Sequence, residues 1–199
     1  FTPKVLADFV VKLTNKIVFE HLDGATIYDD GNTIIDPCCG TGSFLEQIVA
    51  HDTGDGAYNL CGFEILPAPY MLANYRMSVV EHQYRKQNLN TNVILANTLS
   101  NCLFDETANA NSIEGQELIR AKAVSSLPLK LIIGNPPCSD SLRSNISNDF
   151  SQIIELMNDF RPPLENRHGR QNIQKQITAG CFSIGTGHRQ YRFGFIDPS

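Results

Sequence analysis

Three short segments of the 199-residue chain hold residue types that can do chemistry together. The first, Asp36-Pro37-Cys38-Cys39-Gly40-Thr41-Gly42-Ser43-Phe44-Leu45, sets a carboxylate ahead of two glycines. Gly40 and Gly42 let the backbone turn sharply and approach a ligand with no Cβ in the way, and a helix starting there presents free N–H groups. The second is Glu64, 24 residues after Gly40, a carboxylate that can accept two hydrogen bonds from the vicinal hydroxyls of a ribose. The third is Asn135-Pro136-Pro137-Cys138. Pro136 offers a carbonyl without an N–H and Asn135 offers an amide oxygen. Two such acceptors can hold both hydrogens of an exocyclic amine and steer its lone pair toward an electrophilic methyl group.

Each segment has a plainer reading. A lone G-x-G is weak evidence, and the third glycine of a dinucleotide fingerprint would fall at Leu45, which disfavours a pyrophosphate loop. Glu64 could be a surface acid at a strand end, and N-P pairs commonly start turns. Asn97-Thr98-Leu99 could present an amide to an adenine edge or form an ordinary turn. The chemical reading wins only if the fold brings these segments to one edge of one sheet.

The elements between them predict that arrangement. Lys4 to Phe19 place Val5, Leu6, Phe9, Val10, Leu13, Ile17 and Val18 at helical intervals, with Pro3 at the first turn. Strands are expected at Thr33–Asp36, Asn59–Ile65, Asn92–Ala96 and Leu129–Gly134. Helices are expected over Ser43–Ala50 and Pro67–Lys86, the latter carrying Met71, Tyr75, Val79 and Tyr84; Ser112–Val124 has helical composition but a weak stripe. Strands alternating with helices imply a doubly wound α/β domain whose mainly parallel sheet is covered on both faces. The alternation stops after Cys138, which divides the chain into a core of residues 1–138 and an extension, 139–199, with helical readings at Ser147–Phe160 and Asn172–Ile177.

Composition sets outer limits. Hydrophobic residues at 42% and charged residues at 19% exclude a disordered, collagenous or coiled-coil chain. No apolar run approaches the roughly 20 residues that cross a bilayer, so no membrane association is expected. Six cysteines without a C-x-x-C pair, two of them adjacent, suit reduced thiols in the cytoplasm better than zinc or disulfides. No metal site is expected. The net charge of -5 argues against a wholly basic nucleic-acid binder, yet residues 161–192 hold Arg161, Arg167, Arg170, Lys175, Arg189 and Arg192 against Glu165 alone. That stretch could meet phosphates or form a solvated face. A chain opening at Phe1 is expected to be part of a longer polypeptide, with an incomplete sheet.

The order Phe1-Thr2-Pro3, the Asp36–Leu45 loop, Gly62-Phe63-Glu64 and Asn135-Pro136-Pro137-Cys138 resembles the N6-adenine DNA methyltransferases. The nearest group is that of type I modification subunits and fused restriction-modification enzymes, and the resemblance covers residues 1–138. It implies a Rossmann-like, S-adenosylmethionine-dependent methyltransferase acting on double-stranded DNA, with restriction or specificity subunits as possible partners. By matching position, it assigns Thr2 and Pro3 to the amino-acid end of the cofactor. Asp36, Cys38, Gly40, Thr41, Gly42 and Phe44 fall to its pocket, Glu64 and Ile65 to the ribose, and Asn97, Thr98 and Leu99 to the adenine. Asn135, Pro136, Pro137 and Cys138 fall to catalysis.

Two positions depart from the family pattern. Asn97 stands where an aspartate is usual, and Cys138 stands where an aromatic residue stacks on the flipped base. Base stacking of that kind contributes roughly 1–3 kcal/mol. Either Phe182, Tyr191 or Phe193 supplies the ring, or activity is weak or lost. The competing expectations are a noncatalytic cofactor-binding module of such a system and an N-methyltransferase acting on RNA or protein. A dinucleotide oxidoreductase shares the fold but gives Asn135-Pro136-Pro137 no role.

Overall fold

The computed structural model describes residues 2–98 and 111–135. The helical readings at 147–160 and 172–177, the basic stretch, Leu99, Pro136, Pro137 and Cys138 lie outside the described residues. Helix α1 (Lys4–His21) leads into β1 (Thr33–Asp36), α2 (Ser43–His51), β2 (Asn59–Glu64), α3 (Pro67–Tyr84), β3 (Asn90–Leu95), α4 (Ile113–Ser125) and β4 (Leu129–Ile132). Among the described residues all strand pairings are parallel, in the order β3-β2-β1-β4. This is the expected doubly wound, Rossmann-like topology.

Alternation along the strands sorts the core into two layers. Ile34, Leu60 and Val93 face α1, α2 and α3, whereas Ile35, Cys61, Phe63 and Ile94 face Ala121 and Val124 of α4. Strand order runs outward from β1 through β2 to β3, then returns to the other side of β1 for β4. The order of winding therefore reverses between β1 and β4, the point beyond whose carboxyl strand ends such sheets bind their ligands.

The helices pack on smaller residues than their apolar stripes suggest. α1 buries Ala7 and Val11, while Val5, Leu6, Phe9, Leu13 and Ile17 are exposed. α3 buries Ala73, Met77 and Val80, and the residues of its conspicuous stripe, Met71, Tyr75, Val79 and Tyr84, face outward. Small side chains let helix backbones approach closely, so buried alanines set the contact faces here. An ion pair and a hydrogen bond reinforce the α1–α2 contact: Lys4 Nζ lies 3.2 Å from Glu46 and His51 Nε2 lies 2.6 Å from Asp8.

The weak stripe of α4 has a polar cause. Glu117, 8% exposed, accepts a hydrogen bond from the Leu95 N–H at 2.8 Å, and Arg120 donates to the Val93 carbonyl at 3.0 Å. The inward face of α4 thus caps strand β3 instead of burying only hydrocarbon. Its N-terminus is closed by Ser112, whose hydroxyl accepts from the Gly115 N–H. Among the described residues, no helix is long and apolar enough to cross a membrane.

Candidate active site

At the end of β1 the chain turns through Pro37–Gly42 before α2 begins. Asp36 is 1% exposed, and its carboxylate accepts the Cys38 N–H at 3.1 Å. The Cys39 N–H donates to the Phe63 carbonyl at 2.8 Å, tying the loop to β2. Gly40 (φ 55°) and Gly42 (φ 80°) occupy left-handed conformations, which L-residues adopt at a cost of roughly 1–2 kcal/mol. Gly42 packs beside α3, where a Cβ would make ordinary contact with Ala73 at 3.4 Å. The loop is therefore built for a close backbone approach, with the free N–H groups of α2 at its end.

Arg76 of α3 braces the loop from behind. Its guanidinium donates to the Thr41 carbonyl at 2.8 Å and to the Thr41 hydroxyl at 3.1 Å, and it pairs with Glu46. Burial works against the Glu46 charge, but hydrogen bonds from Arg76 and then Lys4 outweigh it and hold the carboxyl below its ordinary range. Glu46 thereby links α1, α2 and α3 around the glycine turn.

The neighbouring strand ends converge on this loop. Glu64, half-buried at the end of β2, accepts the Leu66 N–H at 2.7 Å with one oxygen, and a carboxylate retains further acceptor capacity beyond one such bond. Beyond β3, the Thr98 hydroxyl donates to the Pro37 carbonyl at 2.7 Å. Beyond β4, the Ile133 N–H still bonds Ile35, and Gly134 then passes so close to Asp36 that a Cβ would lie 2.5 Å from its Oδ1. Asn135 follows, exposed, with its amide Nδ2 donating to the Thr2 hydroxyl at 3.1 Å. The N-terminal Thr2-Pro3, the glycine loop and the Asn135 segment thus meet at one sheet edge, although 133 positions separate Thr2 from Asn135.

A family model described as N-6 DNA Methylase matches residues 1–162. The chain belongs to the N-6 DNA methylase family. A comparison with curated proteins returns no match. Among solved structures, the DrdV–DNA complex matches with TM-score 0.70 at 19% identity, over 93% of this chain and 19% of that one. The ATP-dependent Type ISP restriction-modification enzyme LlaBIII bound to DNA gives 0.69 at 15%, over 94% and 14%. A nuclease-deletion mutant of the Type ISP enzyme LlaGI with a DNA substrate mimic gives 0.71 at 17%, over 92% and 17%. These likenesses establish a shared fold, and the chain spans less than a fifth of each of those proteins.

Within the methylase domain, the residues singled out by sequence have unequal surroundings. Cys38 is half-buried against the α4 layer, Ile65 is 59% exposed, and Asn97 is exposed. Phe44 is only 4% exposed and belongs to the core beneath the loop. Thr41 turns its hydroxyl to Arg76. Burial, with Asp36 and Glu64 nearby, pushes the Cys39 thiol up, and burial pushes the Cys61 thiol up to about 12, so neither is a thiolate at neutral pH.

Sequence reading missed Arg76, Glu46 and Gly134. The first two had no local signal, because their partners lie on other helices. Gly134 did have one, as a glycine ending an otherwise apolar strand directly before Asn135. Gly134→Ala is expected to destabilise the methylase domain by about 1–3 kcal/mol, the usual cost of overpacking. Thermal unfolding of the intact protein checks this; an unchanged melting temperature would show that Asp36 does not confine the strand end.

Proposed function

We propose that this domain binds S-adenosylmethionine at the Asp36–Gly42 loop and methylates adenine N6 in double-stranded DNA, as part of a restriction-modification or related defence system. The supporting observation is the meeting of Asn135, Thr2 and the glycine loop at the switch point of the sheet. The residues present fit the cofactor. Gly40 leaves backbone open to it, with nothing within 4 Å of where a Cβ would stand, Glu64 can accept ribose hydroxyls, and Glu64, joined by Asp36 as it ionises near pH 7, gives the site the negative charge that suits a ligand bearing sulfonium and ammonium charges. When bound, S-adenosylmethionine supplies a methyl group already activated by a sulfonium leaving group.

The chain's own residues then have two tasks. One is alignment: holding amine and donor in line converts a bimolecular encounter into a positioned reaction. The other is charge stabilisation: the Asn135 amide oxygen and the Pro136 carbonyl accept the N–H groups of adenine as positive charge develops on nitrogen. The adenine must leave the duplex stack to reach them. Asn97 to Leu99 would meet the cofactor's adenine. Restriction or specificity subunits would supply sequence recognition, and the reduced thiols of Cys39 and Cys61 suit a cytoplasmic setting.

Cys138 favours a second reading, a cofactor-binding module with little or no transfer. The intact protein with tritiated cofactor and duplex DNA, RNA or protein acceptors separates the readings. The proposal expects label in N6-methyladenine of DNA; cofactor binding without label in any acceptor would favour the module.

A further inference from the structure

We propose that Thr2 is a positioning residue for Asn135, locking its side-chain amide so that the oxygen faces the acceptor amine. This rests on the catalytic reading of Asn135. The two ends of an asparagine amide are nearly equal in shape but opposite in chemistry, one accepting and the other donating hydrogen bonds. If the NH₂ end faced an incoming exocyclic amine, donor would meet donor. Asn135 is exposed, so packing alone does not choose between the two orientations. In this structure the Nδ2 end donates to the Thr2 hydroxyl, which occupies the amide nitrogen and leaves Oδ1 to point elsewhere.

Both ends of that bond are held by the surroundings of the glycine loop. Pro3 restricts the backbone of Thr2 to extended conformations, and its carbonyl accepts the N–H groups of Leu6 and Ala7, making the helix start rigid. Lys4 then anchors that start to Glu46 on α2. On the other side, Gly134 lies against Asp36. The hydroxyl and the amide are thus referenced to the same loop that would hold the methyl donor, so orienting Asn135 also sets its place relative to that donor.

The test uses the intact protein, reading single-turnover transfer to adenine in duplex DNA and, separately, cofactor affinity by calorimetry. Thr2→Val keeps the shape and removes the acceptor. At saturating cofactor it is expected to slow transfer by about 10- to 100-fold, since misplacing a reacting group costs rate. Thr2→Ser is expected to restore most of the rate. In an Asn135→Ala background, Thr2→Val is expected to have no further effect, because there is no amide left to orient. A Thr2→Val loss of rate at saturating cofactor that persists undiminished beside Asn135→Ala would overturn the positioning role. Failure of the underlying reading looks different: Asn135→Ala alone would then transfer methyl groups at the wild-type rate, overturning both.

Discussion

Asn135→Ala in the intact protein is expected to slow the proposed methyl transfer to adenine by about 10²- to 10³-fold, the range seen when one preorganised group facing developing charge is removed. The nitrogen being methylated is an aniline-like amine whose lone pair is delocalised into the ring. Accepting its hydrogens draws that lone pair out toward the donor and offsets the positive charge formed as the new bond closes. Because that charge grows only on the way to the transition state, the loss should fall on kcat more than on KM. Cofactor affinity should stay nearly unchanged, as Asn135 is tied to the glycine loop through the backbone of Gly134, which lies against Asp36. Single-turnover rates with labelled cofactor check the first expectation and calorimetry the second. Transfer at the wild-type rate would remove Asn135 from catalysis.

The second large effect concerns Asp36. Burial, opposed by the Cys38 N–H and aided by the charge of Glu64, pushes its carboxyl up to about 7 from an ordinary value of 3.8. Between those values the folded chain keeps a proton that the unfolded chain has lost. The group's contribution to stability therefore falls as pH rises from about 4 to 7 and levels off above that. The difference corresponds to roughly 4 kcal/mol at full ionisation. Asp36→Asn stays neutral, and its amide oxygen can still accept from Cys38. It is expected to melt at a higher temperature than wild type at pH 8, with the gap closing near pH 4.

The same substitution should weaken cofactor binding, since it removes one of two negative charges from a crevice proposed to hold a cationic ligand. Wild-type affinity should rise with pH up to about 7, as binding favours the ionised form, and the Asp36→Asn variant should lose that dependence. Stability gained where function is lost is the pattern of a residue kept for its charge. A parallel fall in both quantities would make Asp36 purely structural.

The strand, glycine loop, helix rhythm was legible because buried parallel strands read as short apolar runs and Gly40 and Gly42 punctuate them. β3 was only half legible: it begins at Asn90, three residues before its apolar portion, because Asn90 and Asn92 form a polar ladder, with Asn90 donating to Asn59 on β2. Helix facing was misleading where alanines make the contacts, since the eye follows Met71 and Tyr75 outward instead of Ala73 inward. At the site, Asp36, Glu64 and Asn135 were legible as strand-end polar residues, and the resemblance supplied Thr2. The amide-to-hydroxyl bond between Thr2 and Asn135, and the squeeze of Gly134 on Asp36, depend on distances between remote segments. No local pattern encodes them.

The most direct measurement is a structure of the intact protein with an unreactive S-adenosylmethionine analogue and duplex DNA containing its target adenine. The account predicts the analogue against Gly40 and Gly42, its ribose hydroxyls at Glu64, and the N6 of a displaced adenine between it and Asn135. An analogue bound at another edge of the sheet, or an adenine held with N6 away from Asn135, would contradict it.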